Sequence, residues 1–165
     1  MTNGYELVDS GDFEKLEKFG EFLLRRPDPQ AIWKKSLNQE EWNMADAVFD
    51  KNLPAGNAGW HKNRELKENW IVEVGGTKFF VSLGSFKHVG LFPEHKENWE
   101  WLEKQVVSSK QLVVREEKIK ILNLFGYTGG ATLACAKAGA EVVHVDASKV
   151  SVEKAKENAA NAKRK

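Results

Sequence analysis

The chain has 165 residues, 41% of them hydrophobic and 30% charged, with a formal net charge of +1. This balance reads as a globular chain rather than a disordered one, and so small a net charge gives no global electrostatic case for nucleic acid. One cysteine, Cys135, leaves no intramolecular disulfide to form, which suits a reducing cytoplasm.

The opening residues lack the basic start and apolar core of a signal peptide. No apolar run approaches the roughly 20 residues needed to span a bilayer. The expectation is a cytoplasmic protein with no membrane association. The length suits one ordinary domain, or a small domain plus part of another.

In chain order, Tyr5 to Val8 is a short candidate strand closed by the turn-rich Asp9-Ser10-Gly11-Asp12. Phe13 to Leu24 is interrupted by Gly20, and its second half reads as a strand. Arg25-Arg26-Pro27-Asp28-Pro29 is expected to be irregular, because each proline restricts itself and its predecessor. Ala31 to Lys34 is a further strand candidate, Gln39 to Phe49 a short helix or a loop with a helical turn, and Leu53 to Gly59 a loop. Trp70 to Val74 and Thr77 to Leu83 alternate around Gly75-Gly76, a strong hairpin signal. Residues 1–92 therefore read as a small, mainly β amino-terminal domain.

From Pro93 the texture changes. Proline followed by Glu94 and Glu97 suits a helix start, and Trp99, Leu102 and Val106 fall at helical spacing. Ile119 to Phe125 is an apolar run of the kind a buried parallel strand needs. The loop Gly126-Tyr127-Thr128-Gly129-Gly130 follows, then a small-residue helix from Ala131 to Ala138, ended by Gly139. Val142 to Val145 is a second strand finishing on Asp146, and Ser148 to Ala162 a last helix with Val152, Ala155 and Ala159 as its inner stripe.

Strand, glycine loop, helix, strand and acid together lay out a nucleoside-cofactor site. Glycine lets a ligand approach the main chain where the helix start leaves N–H groups open. Asp146, about twenty positions beyond Gly126, can accept hydrogen bonds from ribose hydroxyls. Asp146 also has a claim as a plain helix N-terminal acid beside Ser148, and it can do both. The loop is neither G-x-G-x-x-G nor G-x-x-x-x-G-K-[ST]. Tyr127 and Thr128 put side chains where a pyrophosphate would want bare backbone. That favours S-adenosylmethionine over NAD, although an NAD-linked oxidoreductase and a non-catalytic binding or scaffold module stay open.

The stretch NLFGYTGGATLACAKAGAEVVHVDASKVSVEKAKEN resembles the first two strand–helix units of class I S-adenosylmethionine-dependent methyltransferases. Within these it is most similar to the bacterial ribosomal RNA large-subunit methyltransferase group of cytosine-5 type. Gly90-Leu91-Phe92-Pro93-Glu94-His95, Tyr5 to Gly11 and Arg26 to Trp33 also look like that group's segments. The resemblance implies a Rossmann-like α/β fold whose cofactor domain begins in residues 93–165, with the rest of its sheet and any catalytic residue lying beyond. The chain is accordingly expected to be an amino-terminal piece, able to form part of a cofactor site without catalysing. It further implies S-adenosylmethionine contacts from Phe125, Gly126, Tyr127, Thr128, Gly130, Asp146, Ala147 and Ser148, with His95 close by, and ribosomal RNA as the partner.

Other residues have plainer readings. Cys135 is a packed core residue. His61, His88, His95 and His144 show no metal-ligand spacing, and His144 reads as structural. Trp33-Lys34-Lys35 and Trp60 to Arg64 interleave aromatics with bases as an RNA surface does, but tryptophans anchoring a small core under solvated lysines fit better. Lys163-Arg164-Lys165 places favourable charges at a helix end.

Overall fold

The computed structural model describes residues 4–50, 59–112 and 118–162. The Leu53 to Gly59 loop, save Gly59, and the basic Lys163 to Lys165 end lie outside them. The chain divides into two compact units, Met1–Glu73 with Val81–Val89, and Val74–Phe80 with Gly90–Lys165.

The first unit holds a five-stranded sheet of β1 (Tyr5–Gly11), β2 (Glu14–Phe19), β3 (Phe22–Pro27), β4 (Ala47–Asp50) and β5 (Gly59–Lys62), paired in sequence order. All pairs are antiparallel except β3 with β4, whose crossover carries the helix α1 (Gln39–Asn43). Asn38 and Glu41 start α1 with a capping box, each satisfying the other's backbone N–H. Trp42 is buried from α1 against Leu16, with Val8, Leu23, Leu37 and Val48 around them.

Three expectations are corrected here. Phe13 to Leu24 contains a hairpin, β2 and β3, turning at Gly20 (φ 65°) and Glu21. The charges that obscured it are partly internal: Glu17 and Arg26 are both buried and form a bidentate pair, Nε to Oε2 at 2.5 Å and Nη2 to Oε1 at 2.9 Å. Residues 25–27 continue β3, because Pro27 sits at the strand's end, where a missing donor is tolerated. Ala31 to Lys34 is no strand. Its carbonyls at Ala31 and Trp33 accept from Phe13 and Asp12, so it is tied to the β1–β2 turn without a ladder.

The helix expected over Gln39 to Phe49 ends at Asn43, and β4 takes up the remainder. The hairpin around Gly75-Gly76 is present as β6 (Trp70–Val74) and β7 (Thr77–Val81). Both glycines have positive φ, 60° and 67°, as a tight two-residue hairpin turn requires.

In the second unit a 3₁₀ turn at Pro93–His95 leads into α2 (Lys96–Leu112). Then β8 (Lys120–Leu124), α3 (Gly130–Lys137), β9 (Glu141–Val145) and α4 (Lys149–Ala162) follow. β8 and β9 pair in parallel and in register, Leu122 beside Val143 and Leu124 beside Val145. Those four side chains share one face and are exposed, Leu122 at 62%. The opposite face carries Asn123 and His144 toward α3. In α4 the inner stripe includes a polar residue that apolar spacing missed: Asn158 is fully buried, accepting from Phe80 N at 2.8 Å and donating to Thr128 O at 2.9 Å.

Candidate functional site: the loop between β8 and α3

The loop geometry follows from its backbone. Phe125 (φ 56°), Tyr127 (φ 51°) and Gly129 (φ 96°) have positive φ, while Gly126 and Thr128 do not. Two of these three are not glycine, so the turn holds conformational strain of the kind that gathers at ligand sites. Gly126 N donates to Val145 O at 3.0 Å and Gly129 N to Gly126 O at 3.0 Å. Gly129 begins α3 with no side-chain cap, so the first turn of α3 relies on other acceptors for its N–H groups.

Asp146 binds this loop directly. Its Oδ2 accepts from Tyr127 N at 2.8 Å and its Oδ1 from Ser148 N at 2.8 Å. The amides of Ser148 and Tyr127 hold its carboxyl below the usual carboxylate range, and His144 adds to the effect. Each carboxylate oxygen keeps a further acceptor site.

A cavity of about 360 Å³ opens beside the loop, within the roughly 300–1,000 Å³ typical of small-molecule sites. Phe125, Gly126, Tyr127, Thr128, Gly130 and His95 all border it. Asp146, Ala147 and Ser148 do not; Asp146 reaches the cavity only through the Tyr127 amide. Phe125 is 87% exposed. Tyr127 stacks on Phe92 with ring centroids 4.7 Å apart, and Phe92 meets the His95 ring edge-on at 6.3 Å. The Thr128 hydroxyl is buried and donates to Gly90 O at 2.8 Å, so it also fastens the loop from within.

Sequence reasoning missed Trp99, Asn98 and Asn123 as parts of the wall. Trp99 carried a signal, since it was placed on the inner stripe of α2. Its indole presses on the start of α3, where a Cβ at Gly130 would lie 2.5 Å from Cε2. Asn98 Nδ2 lies 3.2 Å from His95 Nδ1. Cys135 is buried on α3, and burial together with the charge of Glu103 raises its thiol above the usual range, which suits a packing residue. Among the described residues no cluster of three or more His, Cys, Asp or Glu could hold a metal ion. Among them, too, no helix is long and apolar enough to cross a membrane.

A parallel βαβ unit with this loop and a carboxylate at the second strand tip matches solved S-adenosylmethionine-dependent methyltransferase structures, and the chain is similar to such enzymes in sequence. The SAM-dependent methyltransferase of Agrobacterium tumefaciens superposes with a TM-score of 0.84 and 41% identity, covering 96% of this chain and 48% of that one. A protein of Methanocaldococcus jannaschii, provisionally named a ribosomal RNA large subunit methyltransferase, is 30% identical over 146 residues, 88% of this chain and 31% of the relative. Ribosomal RNA large subunit methyltransferase K/L of Shewanella baltica is 33% identical over 148 residues, 84% of this chain and 20% of the relative. The chain thus spans less than half the length of each. No protein-family model matches the sequence.

Proposed function

We propose that the chain forms part of the cofactor site of an S-adenosylmethionine-dependent methyltransferase that acts on ribosomal RNA in the cytoplasm. The observation that carries this reading is the Tyr127–Asp146 hydrogen bond, which couples the glycine loop to a strand-tip carboxylate beside a cavity of fitting size. The names of the relatives support the methyl donor and the RNA substrate. The uncovered apolar face of β8 and β9 supports taking these strands as the start of a larger sheet, since parallel sheets are covered on both faces. On this reading residues 1–92 are a mainly β amino-terminal portion and residues 93–165 begin the cofactor domain.

The residues that border the cavity fit the group, with Asp146, Ala147 and Ser148 just outside that lining. Gly126 and Gly130 shape the loop by leaving room for the His144 ring and the Trp99 indole, while Phe125, Tyr127 and Thr128 line the methionine and adenosine portions of the ligand. Asp146 accepts from the ribose hydroxyls, Ala147 and Ser148 lie beside the adenine, and His95 closes the wall near Phe92. Bound S-adenosylmethionine supplies an electrophilic sulfonium methyl group. The protein's part is alignment, an orientation effect. No residue of this chain is assigned to the chemical step, and alone it is expected to bind without turning over.

Calorimetry with S-adenosylmethionine, S-adenosylhomocysteine and NAD tests the reading. Binding of the two sulfur compounds that is lost in Asp146→Ala is the expected result. Binding of NAD alone overturns it.

A further inference from the structure

His144 lies on the face of β9 that meets α3. Its Nδ1 is 2.8 Å from Thr132 Oγ1, which also accepts from Asn123 Nδ2 at 2.9 Å. One polar chain therefore joins β8, α3 and β9 directly below the loop. The other ring nitrogen, Nε2, is buried and has no hydrogen-bond partner among the described residues. Such a group is costly to bury, and an apolar side chain in its place would avoid that cost.

Gly126 rests against the same ring. A Cβ built on Gly126 would lie 2.5 Å from Nδ1 and 3.1 Å from Nε2, with Cε1 nearest of all. Gly126 is outside the left-handed region, so its backbone would accept a side chain. The imidazole is what requires glycine there.

We propose that His144 is a positioning residue for the cofactor loop: its ring is the floor on which Gly126 sits, and it sets the level at which the next residue, Tyr127, presents its amide to Asp146. The inference rests on the cofactor reading above. It assigns His144 no contact with the ligand. Its effect passes through Gly126 and Tyr127, with Thr132 and Asn123 holding the ring in place.

The test is a double-mutant cycle read by calorimetry with S-adenosylhomocysteine and, in parallel, by thermal melting. Gly126→Ala should weaken binding by about tenfold or more, because the new methyl group must lift the loop off the ring. His144→Ala alone should weaken binding, because Gly126 loses its floor. Adding it to Gly126→Ala should restore part of that variant's loss, since it removes the three atoms nearest the new methyl, a coupling within the range seen for residues in contact. His144→Val, which keeps a branched side chain in the strand, should restore it too and covers the case in which alanine fails to fold. Double variants that bind no better than Gly126→Ala overturn the proposal. Recovery of melting temperature without recovery of affinity overturns it as well, since the ring would then serve packing alone. No binding by the unsubstituted protein removes the cofactor reading itself, whereas failure confined to the double variants leaves that reading standing.

Discussion

Tyr127 donates its amide to Asp146 Oδ2 at 2.8 Å, joining the turn after β8 to the tip of β9. The bond fixes where the carboxylate sits before any ligand arrives. Asp146→Asn keeps an oxygen for one of the two amides, Tyr127 or Ser148, but turns its NH2 toward the other donor and loses the charge. It should lower the melting temperature modestly and weaken S-adenosylhomocysteine binding by more than about tenfold, as losing a charged hydrogen-bond partner does. The pH dependence has a definite sign. Because the carboxyl is held below its ordinary range, its ionised form persists above the unfolded value and is lost only as pH falls through the folded one. Binding attributable to Asp146 should therefore be flat from about pH 5 to 8 and fall in stronger acid.

The second prediction concerns Trp99 and Gly130. The indole fills the space a side chain at Gly130 would need and packs against Phe79, ring centroids 5.3 Å apart. Gly130→Ala should cost about 1–3 kcal/mol in urea unfolding, the usual range for overpacking. Trp99→Ala should cost about 3–5 kcal/mol through the cavity it leaves.

Asp9 supplies a third. It is buried in the first unit, and burial pushes its carboxyl up; amides of Leu37, Ser10 and Ser36 and the Trp42 indole N–H more than reverse that and leave it below the ordinary range. The stability this adds is complete above the unfolded value near 4 and is lost as pH falls through the lowered folded one. Asp9→Ala should destabilise by about 2–4 kcal/mol at neutral pH, leaving buried donors unmatched. Acid titration followed by circular dichroism should show the gap between the two proteins closing below about pH 4.

The buried Glu17–Arg26 pair gives a fourth. Tyr5 Oη also donates to Glu17 Oε1 at 2.9 Å, and Arg26 Nη1 donates to Lys87 O at 3.3 Å. Arg26→Leu should cost about 3–5 kcal/mol because it strands a carboxylate in the interior, whereas Glu17→Leu with Arg26→Leu should cost markedly less. Denaturant midpoints of the two variants decide it.

Much of this fold was legible where one rule governed a stretch. Strand, loop and helix from Lys120 to Lys137 read directly in position, because apolar run, glycines and small residues agree, but the strand is not buried: Leu122 and Leu124 lie on an exposed face. The β6–β7 hairpin read for the same reason. The β2–β3 hairpin did not, since the alternation it needs includes Glu17 and Arg26, whose burial depends on finding each other across strands. Asn158 was hidden similarly: only tertiary contacts with Phe80 and Thr128 make an asparagine an interior residue of α4. At the site, the cavity-lining residues near the glycines are ones the family resemblance implied. Trp99 and Asn98 come from a helix distant in sequence, and His144 looked structural until its ring was found under Gly126.

The ladder of Leu122, Leu124, Val143 and Val145 also governs how the molecule behaves in a concentrated solution. A contiguous greasy strip of this kind is adhesive in water, and excluded salts such as ammonium sulfate strengthen the attraction. Light scattering should climb with protein concentration and with sulfate, and Val143→Lys should clear the turbidity.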